Sequence, residues 1–375
     1  MAQSLGTSHG AARLWTPSVL VPVAALALGV LLSLTRGPVE HLPMPLQAAI
    51  SIFVLGFVFW CVFVVLGHAE AVAHRVGEPF GTLVLTLAVT AIEASVIVSV
   101  MLHGEPNPTI ARESVFSTVM IVCGGVLGLS LLLGGWRHQN QAHKQQATSS
   151  LLSVVVALAV ITLILPNFTL APHHGAYSTL QLVFVSTMCL LLYGSFVFAQ
   201  LTRHRADFLD DQPAVERAHA APHGNLLRSL ALLAIGLIGI VLLAESVAAS
   251  LEKGLHALQL PQTDAIVGAF IATLVLLPET IAAVRAAMRN QLQQALNTAL
   301  GSACATIGLT IPVVAAASMI MGHELTLGLG PGDSVLLFLA LGVSTLSFST
   351  GRTTVVTGLV HLVVFLAFLL LIAVP

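Results

Sequence analysis

Charged residues are scarce in this sequence. Only 8% of its 375 residues are Asp, Glu, Lys or Arg, whereas a soluble domain carries about 25%. A chain this poor in charge cannot cover a water-facing surface. Apolar residues make up 57% of it, and the mean hydropathy is +0.97. We therefore expect a lipid bilayer to be its main solvent. The net charge of −2 and the lack of any basic run exclude nucleic acid as an expected partner.

Motifs of catalysis and of resident metals are also missing. The four cysteines all fall within apolar stretches without metal-site spacing, and the fifteen histidines fit no zinc pattern. HExxH, GxSxG, P-loop and dinucleotide-binding contexts are absent. We therefore expect neither an enzyme nor a bound cofactor. A pH-sensing role of the histidine-containing 202–225 loop is left open.

Long uninterrupted apolar windows are what the chain has instead. Because these windows are continuously apolar and not alternating, they predict helices and argue against a barrel. The expected fold is an all-α polytopic membrane protein with about eleven transmembrane helices, at about 20 residues each. The windows are 15–35, 46–74, 79–102, 114–135, 148–166, 176–201, 228–251, 264–288, 294–321, 333–350 and 353–374.

The basic residues predict an orientation. If eleven spans are threaded with the N-terminus in the cytoplasm, all Lys and Arg residues except Arg36, Arg112 and Lys253 lie on the cytoplasmic side. Positive charge concentrates on that side of membrane proteins. We therefore predict a cytoplasmic N-terminus and a C-terminus on the other side.

The two halves of the chain contain a related pattern. The segment Ala69-Glu70-Ala71-Val72-Ala73 recurs as Ala244-Glu245-Ser246-Val247-Ala248, and in each half another glutamate, Glu93 or Glu279, lies in the next span. When the first helix is set aside, five spans precede the polar 202–225 loop and five follow it. Because five is odd, the second copy enters the membrane from the opposite face, which predicts two inverted five-helix repeats after one N-terminal helix. The expected segments are 1–45 (N-terminal segment and first helix), 46–201 (first repeat), 202–227 (polar cytoplasmic loop) and 228–375 (second repeat).

Glu93 and Glu279 are the candidates for the central chemistry. Glu93 lies about fourteen residues, or roughly 21 Å, into its span, near the middle of a hydrocarbon core about 30 Å thick. An ionised carboxylate there costs at least about 2.5 kcal/mol unless it meets a cation, a proton or water. Exchange of a proton for a cation is then the elementary step of an antiporter. The alternative is a protonated carboxyl that only hydrogen-bonds a neighbouring helix.

Other residues are candidates for supporting roles. Glu70 and Glu245 lie near span ends, where a gate or proton relay and a carboxylate that reaches water are both open. Pro278 frees the backbone carbonyl of Leu274, an oxygen that suits a hard cation; the alternative is that the proline only shapes the helix, which membrane helices tolerate. Further candidate ligands are the hydroxyl groups of Thr90, Ser302 and Thr306; packing is the alternative role for such small residues.

These segments resemble a known family. GHAEAVAHRVGEPFGTLVLTLAVTAIE and LLPETIAAVRAAMRNQLQQALNTALGSACATIGLTIP are similar to the two α-repeats of the calcium/cation antiporter superfamily, and the ChaA-type cation/proton antiporters are the nearer match. ARESVFSTVMIVCGG and SFSTGRTTVVTGLVHL extend the resemblance over most of the chain after about residue 60. The resemblance implies an eleven-span fold with a polar cytoplasmic loop. It also implies a bacterial inner membrane location.

The resemblance assigns roles and also shows a departure. Glu93 and Glu279 match the central cation-binding acids, and Glu70 and Glu245 match acidic positions associated with proton coupling or gating. Calcium exchangers of this branch place Gly-Asn before the central acids, where this chain has Val89-Thr90 and Val275-Leu276. Loss of the amide oxygens argues against selectivity for calcium, which takes six to eight oxygens.

The expected function is secondary active transport. Cytoplasmic Ca²⁺, Na⁺ or K⁺ would leave while protons enter by alternating access, and both would compete for Glu93 and Glu279. A cation channel and a cation/cation exchanger without proton coupling are the alternatives. The expected partners are the transported ions and the lipid bilayer.

Overall fold

The computed structural model describes residues 16–35, 42–76, 80–103, 108–171, 173–203, 205–208, 226–257 and 263–374. The chain forms eleven helical rods in sequence order. They are α1 (Pro17–Leu34), α2 (Met44–Val76), α3 (Phe80–His103), α4 (Ile110–His138), α5 (Gln145–Phe168), α6 (Thr179–Leu201), α7 (Leu226–Ala257), α8 (Thr263–Met288), α9 (Leu292–Met321), α10 (Pro331–Ser347) and α11 (Val355–Ala373). Two short strands, β1 (Asn140–Ala142) and β2 (Arg352–Thr354), and a 3₁₀ turn at Arg205–Phe208 complete the described secondary structure.

The rods have the length and composition of membrane spans. Among the described residues, nine helices are long and apolar enough to cross a bilayer, while α10 is apolar but has only 17 residues. The prediction of an all-α polytopic membrane protein is confirmed. Rod ends differ from the predicted windows by up to six residues, and the largest difference is at α7, which continues to Ala257.

Three rods contain a π-helical segment. Ile121–Val126 lies within α4, Val160–Ile164 within α5 and Thr306–Thr310 within α9. The α4 and α9 segments occupy the third helix of each half, and their side chains are almost entirely buried. Such bulges frequently occur at functional sites because they redirect side chains without ending the helix.

The described connections gather at two ends of the bundle. At one end, β1 pairs antiparallel with β2, so that Gln141 lies opposite Thr353, and the backbone N–H of Lys144 donates to Gln293 Oε1 at 2.8 Å. Four arginines belong to these connections and to the adjoining helix termini, and we therefore call this the basic end. They are Arg137, Arg285, Arg289 and Arg352.

The opposite end joins other connections. There the backbone N–H of Thr326 donates to Pro108 O at 2.9 Å, Ala176 forms a β-bridge with Thr326, and Arg112 Nη1 donates to Gly328 O at 2.9 Å. These contacts tie the start of α4, the α5–α6 connection and the α9–α10 connection together. The chain thus has two distinct ends, as a membrane-spanning bundle requires.

The two ends show the inversion of the halves. Helix α4 runs from the opposite end to the basic end, whereas α9, its counterpart in the second half, runs from the basic end to the opposite end. The contacts between the helices show the same symmetry. Helix α2 packs on its counterpart α7, and α3 packs on α9 as α8 packs on α4. In the same way, α4 packs on α11 as α9 packs on α6. The fold is one N-terminal helix followed by two inverted five-helix repeats.

The buried apolar residues form two clusters. The smaller cluster joins α1, α2 and α7 with a few residues of α3 and α8, such as Val89 and Leu274. The larger cluster contains most of the remaining buried side chains of α3 to α6 and α8 to α11. Helices α3 and α8 contribute to both clusters, so the two glutamate-bearing helices lie at the boundary between them.

Part of the predicted organisation falls outside the described residues. This is the case for residues 1–15 of the N-terminal segment and for residues 204 and 209–225 of the polar loop. The loop's predicted cytoplasmic location and the boundaries of the predicted segments remain predictions.

Candidate functional site

The two central glutamates come from equivalent helices of opposite halves. Glu93 lies on α3 and is 4% exposed, and Glu279 lies on α8 and is 2% exposed. Both carboxylates lie against α9, where Thr306 bonds Glu93 and Ser302, one turn earlier, bonds Glu279. Two acidic side chains buried together inside an apolar bundle are unfavourable when both are ionised and unpaired, so the site favours a bound proton or cation.

Glu93 accepts hydrogen bonds from both halves of the molecule. Thr118 Oγ1 on α4 donates to Glu93 Oε1 at 3.0 Å, and Thr306 Oγ1 on α9 donates to Glu93 Oε2 at 2.6 Å. Thr306 opens the π-helical segment of α9. Both carboxylate oxygens are thus held by hydroxyl groups, which fixes the plane of the carboxylate between α4 and α9.

Glu279 is held on one side only. Ser302 Oγ on α9 donates a hydrogen bond to Glu279 Oε2, and the buried Thr86 of α3 lies near the same carboxylate. Within the described part of the chain, Glu279 Oε1 has no hydrogen-bond partner, and neither has the Oγ1 atom of Thr90. Buried oxygens without partners are uncommon in folded proteins, and here two occur on the two glutamate-bearing helices.

Ser302 and Thr306, both predicted from the sequence, lie in contact with the two acids. Thr90 is 1% exposed and stands one turn before Glu93 on α3. Leu274 is 2% exposed and belongs to the smaller apolar cluster. Its helix α8 contains Pro278. A ligand role for Thr90 or the Leu274 carbonyl stays a prediction.

Glu70 and Glu245 lie on α2 and α7, which pack against each other. Their side chains are not among those that the structure describes, so their predicted proton-coupling or gating role remains a prediction.

Sequence reasoning missed Thr86 and Thr118 as members of the site. Thr86 stands seven residues before Glu93 and therefore lies on the same face of α3. Thr118 follows Ser114 and Ser117 on α4, and all three are buried. Three hydroxyl residues within five positions of an otherwise apolar span were the signal that could have found this helix.

A buried histidine on α11 was also missed. His361 is 1% exposed, and its Nε2 lies 3.0 Å from Ser347 Oγ, while its Nδ1 hydrogen-bonds Cys123 O. Cys123 belongs to the π-helical segment of α4. His361 therefore joins α11 to the third helix of the first half.

The donor set has the chemistry of an oxygen site. No group of three or more His, Cys, Asp or Glu residues that could hold a metal ion occurs in the described ranges. The available ligands are two carboxylates and several hydroxyl oxygens, which suit protons and hard cations.

A family model described as sodium/calcium exchanger protein matches residues 46–202 and 228–374. The chain belongs to this exchanger family. It is 46% identical over 323 residues to the putative ionic transporter y4hA of Sinorhizobium fredii, covering 85% of this chain and 87% of that protein. It is 35% identical to the sodium-potassium/proton antiporter ChaA of Escherichia coli over 359 residues, covering 94% and 95% of the two chains.

Solved structures show the same fold. An H⁺/Ca²⁺ exchanger, CAX, has a TM-score of 0.66 at 15% identity and covers 95% of this chain and 89% of its own. Native YfkE has a TM-score of 0.65 at 15% identity and covers 96% and 100% of the two chains. The exchanger described here is therefore a multi-pass membrane antiporter of the calcium/cation superfamily, and its family consists of transporters and not enzymes.

Proposed function

We propose that this exchanger moves cytoplasmic cations out of the cell in exchange for protons, and that cation and proton compete for Glu93 and Glu279. The observation that carries the proposal is the pair of buried carboxylates contributed by equivalent helices of inverted halves. A proton neutralises such a pair as well as a cation does, so each ion displaces the other.

The hydrogen bonds at the site support alternating access. Thr306 of the second half donates to Glu93 of the first half at 2.6 Å, so the ligand sphere belongs to neither half alone. A relative movement of α3 and α9 would change this sphere, while the inverted halves provide two equivalent arrangements, open to one side or to the other.

Glu279 Oε1 and Thr90 Oγ1 are the oxygens that we assign to the cation. They lack hydrogen-bond partners within the described residues, so an incoming ion would satisfy them. Calcium takes six to eight oxygen ligands, and this chain lacks the two amide oxygens of the calcium exchangers, which favours Na⁺ and K⁺. The naming of ChaA as a sodium-potassium/proton antiporter is in line with this choice. Ca²⁺ remains a candidate cargo, because a more distant relative at 26% identity is a Ca²⁺/H⁺ antiporter of Aphanothece halophytica.

The experiment that tests the function is exchange in proteoliposomes. An imposed pH gradient should drive Na⁺, K⁺ or Ca²⁺ uphill in the direction opposite to proton flow. Conductance without proton coupling would instead show a channel, and cation exchange that is indifferent to the pH gradient would show a cation/cation exchanger.

The site assignment is tested by neutral replacements of the acids. Glu93→Gln and Glu279→Gln should each reduce exchange at least about tenfold, because glutamine keeps the size of the side chain but removes the charge that binds a cation and the group that takes up a proton. Glu324→Gln is the matched control, since Glu324 is 69% exposed at the opposite end of the bundle. Full exchange in both central variants would refute the proposed site.

We further propose that Glu70 and Glu245 couple proton movement to this site. Glu70→Gln and Glu245→Gln should flatten the pH dependence of exchange. They should leave cation binding intact at high pH, where protons no longer compete with the cation. Loss of cation binding with an unchanged pH profile would contradict this role.

A further inference from the structure

A pocket between the two halves lies at the basic end of the bundle, away from the glutamates. Arg137 and His138 from the last turn of α4 line it on one side, and Arg285, Met288 and Arg289 from the end of α8 line it on the other. Its volume is about 480 Å³. No role in cation exchange has been assigned to any of these side chains.

The backbone around the pocket is fixed by contacts between the halves. His138 Nε2 lies 2.9 Å from Met288 O, and Gln141 Nε2 donates to Ala287 O at 2.7 Å. Gln139 (φ 64°) and Asn290 (φ 61°) are the two non-glycine residues with positive φ in the described part of the chain. Both directly follow the basic residues, so each helix ends abruptly beside the pocket.

The pocket concentrates positive charge. Three arginines line it, and no acidic residue is among its described lining. A basic residue near a helix C-terminus interacts favourably with the helix dipole and stabilises the helix by about 0.3–1 kcal/mol. This accounts for the basic residues on each helix separately. It does not account for a cavity that brings Arg137 and Arg289 of opposite halves together. Arginine groups bind phosphate with paired hydrogen bonds, so one phosphate could bind both side chains.

An exposed apolar row of α4 leads to the pocket. Leu129, Leu133 and Trp136 of α4 are 39%, 40% and 80% exposed, and their spacing of four and three residues places them in one row that leads to Arg137. Tryptophan is typical of the interface between lipid and water. Met288, 36% exposed, belongs to the pocket lining on α8. An apolar row that ends at a cluster of arginines matches a phospholipid, which carries an acyl chain next to a phosphate.

We propose that this pocket binds the phosphate of an anionic phospholipid and that an acyl chain of the lipid lies along the Leu129–Leu133–Trp136 row. Arg137 and Arg289 bind the phosphate from opposite halves of the molecule, so the lipid bridges α4 and α8. The recognised chemistry is a phosphate ester, and the apolar row is the reason to assign it to a lipid and not to a free phosphate.

The test is native mass spectrometry of the full-length protein extracted from vesicles of equal parts phosphatidylglycerol and phosphatidylcholine. We expect phosphatidylglycerol to remain bound in preference to phosphatidylcholine, and the Arg137→Gln/Arg289→Gln variant to retain at least fivefold less of it. The matched control is Arg203→Gln/Arg352→Gln, which removes two exposed basic residues outside this pocket and should leave lipid retention unchanged.

Other results would overturn the proposal. Equal retention of phosphatidylglycerol in the pocket variant and the wild type would show that the lipid binds elsewhere. Equal losses in the pocket variant and the control would show only a general effect of surface charge. Binding of added inorganic phosphate that displaces no phosphatidylglycerol, yet disappears in the pocket variant, would assign the pocket to a free anion. A Leu133→Ser variant separates the sources further, because it should weaken lipid retention and leave phosphate binding intact.

Discussion

At the scale of single residues, Thr306 links the two halves through one hydrogen bond to Glu93. Replacement by valine keeps the shape of the side chain and removes the donor. Because a hydrogen bond to a charged group contributes about 1.5–3 kcal/mol, Thr306→Val should weaken the apparent affinity for the exchanged cation roughly tenfold. Cation titration of exchange in proteoliposomes at fixed pH measures this.

The control for that replacement lies on the same helix. The hydroxyl of Thr298 donates to Gln294 O within α9, and the hydroxyl bonds to the two acids in the described residues come from Thr118, Ser302 and Thr306. Thr298→Val should therefore leave the affinity near that of the wild type. An affinity that falls equally in both variants would assign the effect to α9 packing and not to the bond with Glu93.

His143, in the connection between α4 and α5, gives the basic end a dependence on pH. Burial lowers the pKa of His143 below its usual value of 6.5, and the hydrogen bond to Phe348 O opposes this shift only in part. Below about pH 6.5 the unfolded chain takes up a proton that the folded chain does not, so stability falls as the pH decreases towards the folded-state pKa. Above that range both states are neutral and the effect disappears.

Replacement of this histidine should therefore reduce sensitivity to acid. We expect the thermal midpoint of His143→Gln in detergent to fall less between pH 7.5 and pH 5 than that of the wild type. His323→Gln, at an exposed position of the opposite end, serves as the control. An unchanged acid sensitivity in His143→Gln would contradict the assignment.

At the scale of helices, α11 approaches α4 over glycines. A Cβ atom added to Gly358 of α11 would lie 2.9 Å from Gly128 O and from Leu131 C, both backbone atoms of α4. Backbone atoms cannot move aside as a side chain can. Gly358→Ala should destabilise the protein by about 1–3 kcal/mol, which a lower thermal midpoint of the purified protein would show.

The control for this packing is Gly342 on α10, where an added Cβ atom would meet nothing within 4 Å. Since alanine favours helices over glycine by about 1 kcal/mol, Gly342→Ala should be neutral or stabilising. Destabilisation by both replacements would mean that the α4–α11 contact is not the cause.

The helices show where prediction from the sequence succeeds. Apolar windows predicted all eleven rods of the described residues, and the mid-span position of Glu93 and Glu279 predicted that both acids are buried. Their role as the cation and proton site stays a prediction, which rests on the cost of a carboxylate in lipid. The hydroxyl partners were found only in part: Ser302 and Thr306 follow an identified motif, whereas Thr118 resembles a packing residue until α4 is placed beside α3. The β1–β2 pairing joins segments more than 200 residues apart, and no local pattern reports such a contact.

At the scale of the whole molecule, the two ends of the bundle must face different compartments. The structure separates Arg112 at the opposite end from Arg137, Arg285, Arg289 and Arg352 at the basic end. The positive-inside bias predicts that the basic end faces the cytoplasm. Cations leaving the cell would then enter the protein at the end that carries the arginine-lined pocket.

Cysteine labelling in intact cells tests this orientation. All four native cysteines are buried, so background labelling should be low. His323 and Arg352 are exposed at opposite ends. A membrane-impermeant maleimide should label His323→Cys in intact cells, and Arg352→Cys only after permeabilisation, because the bilayer keeps the reagent from the cytoplasmic end. The reverse pattern would invert the molecule, and the cytoplasmic cation would then have to enter beside Arg112 and not beside the arginine-lined pocket.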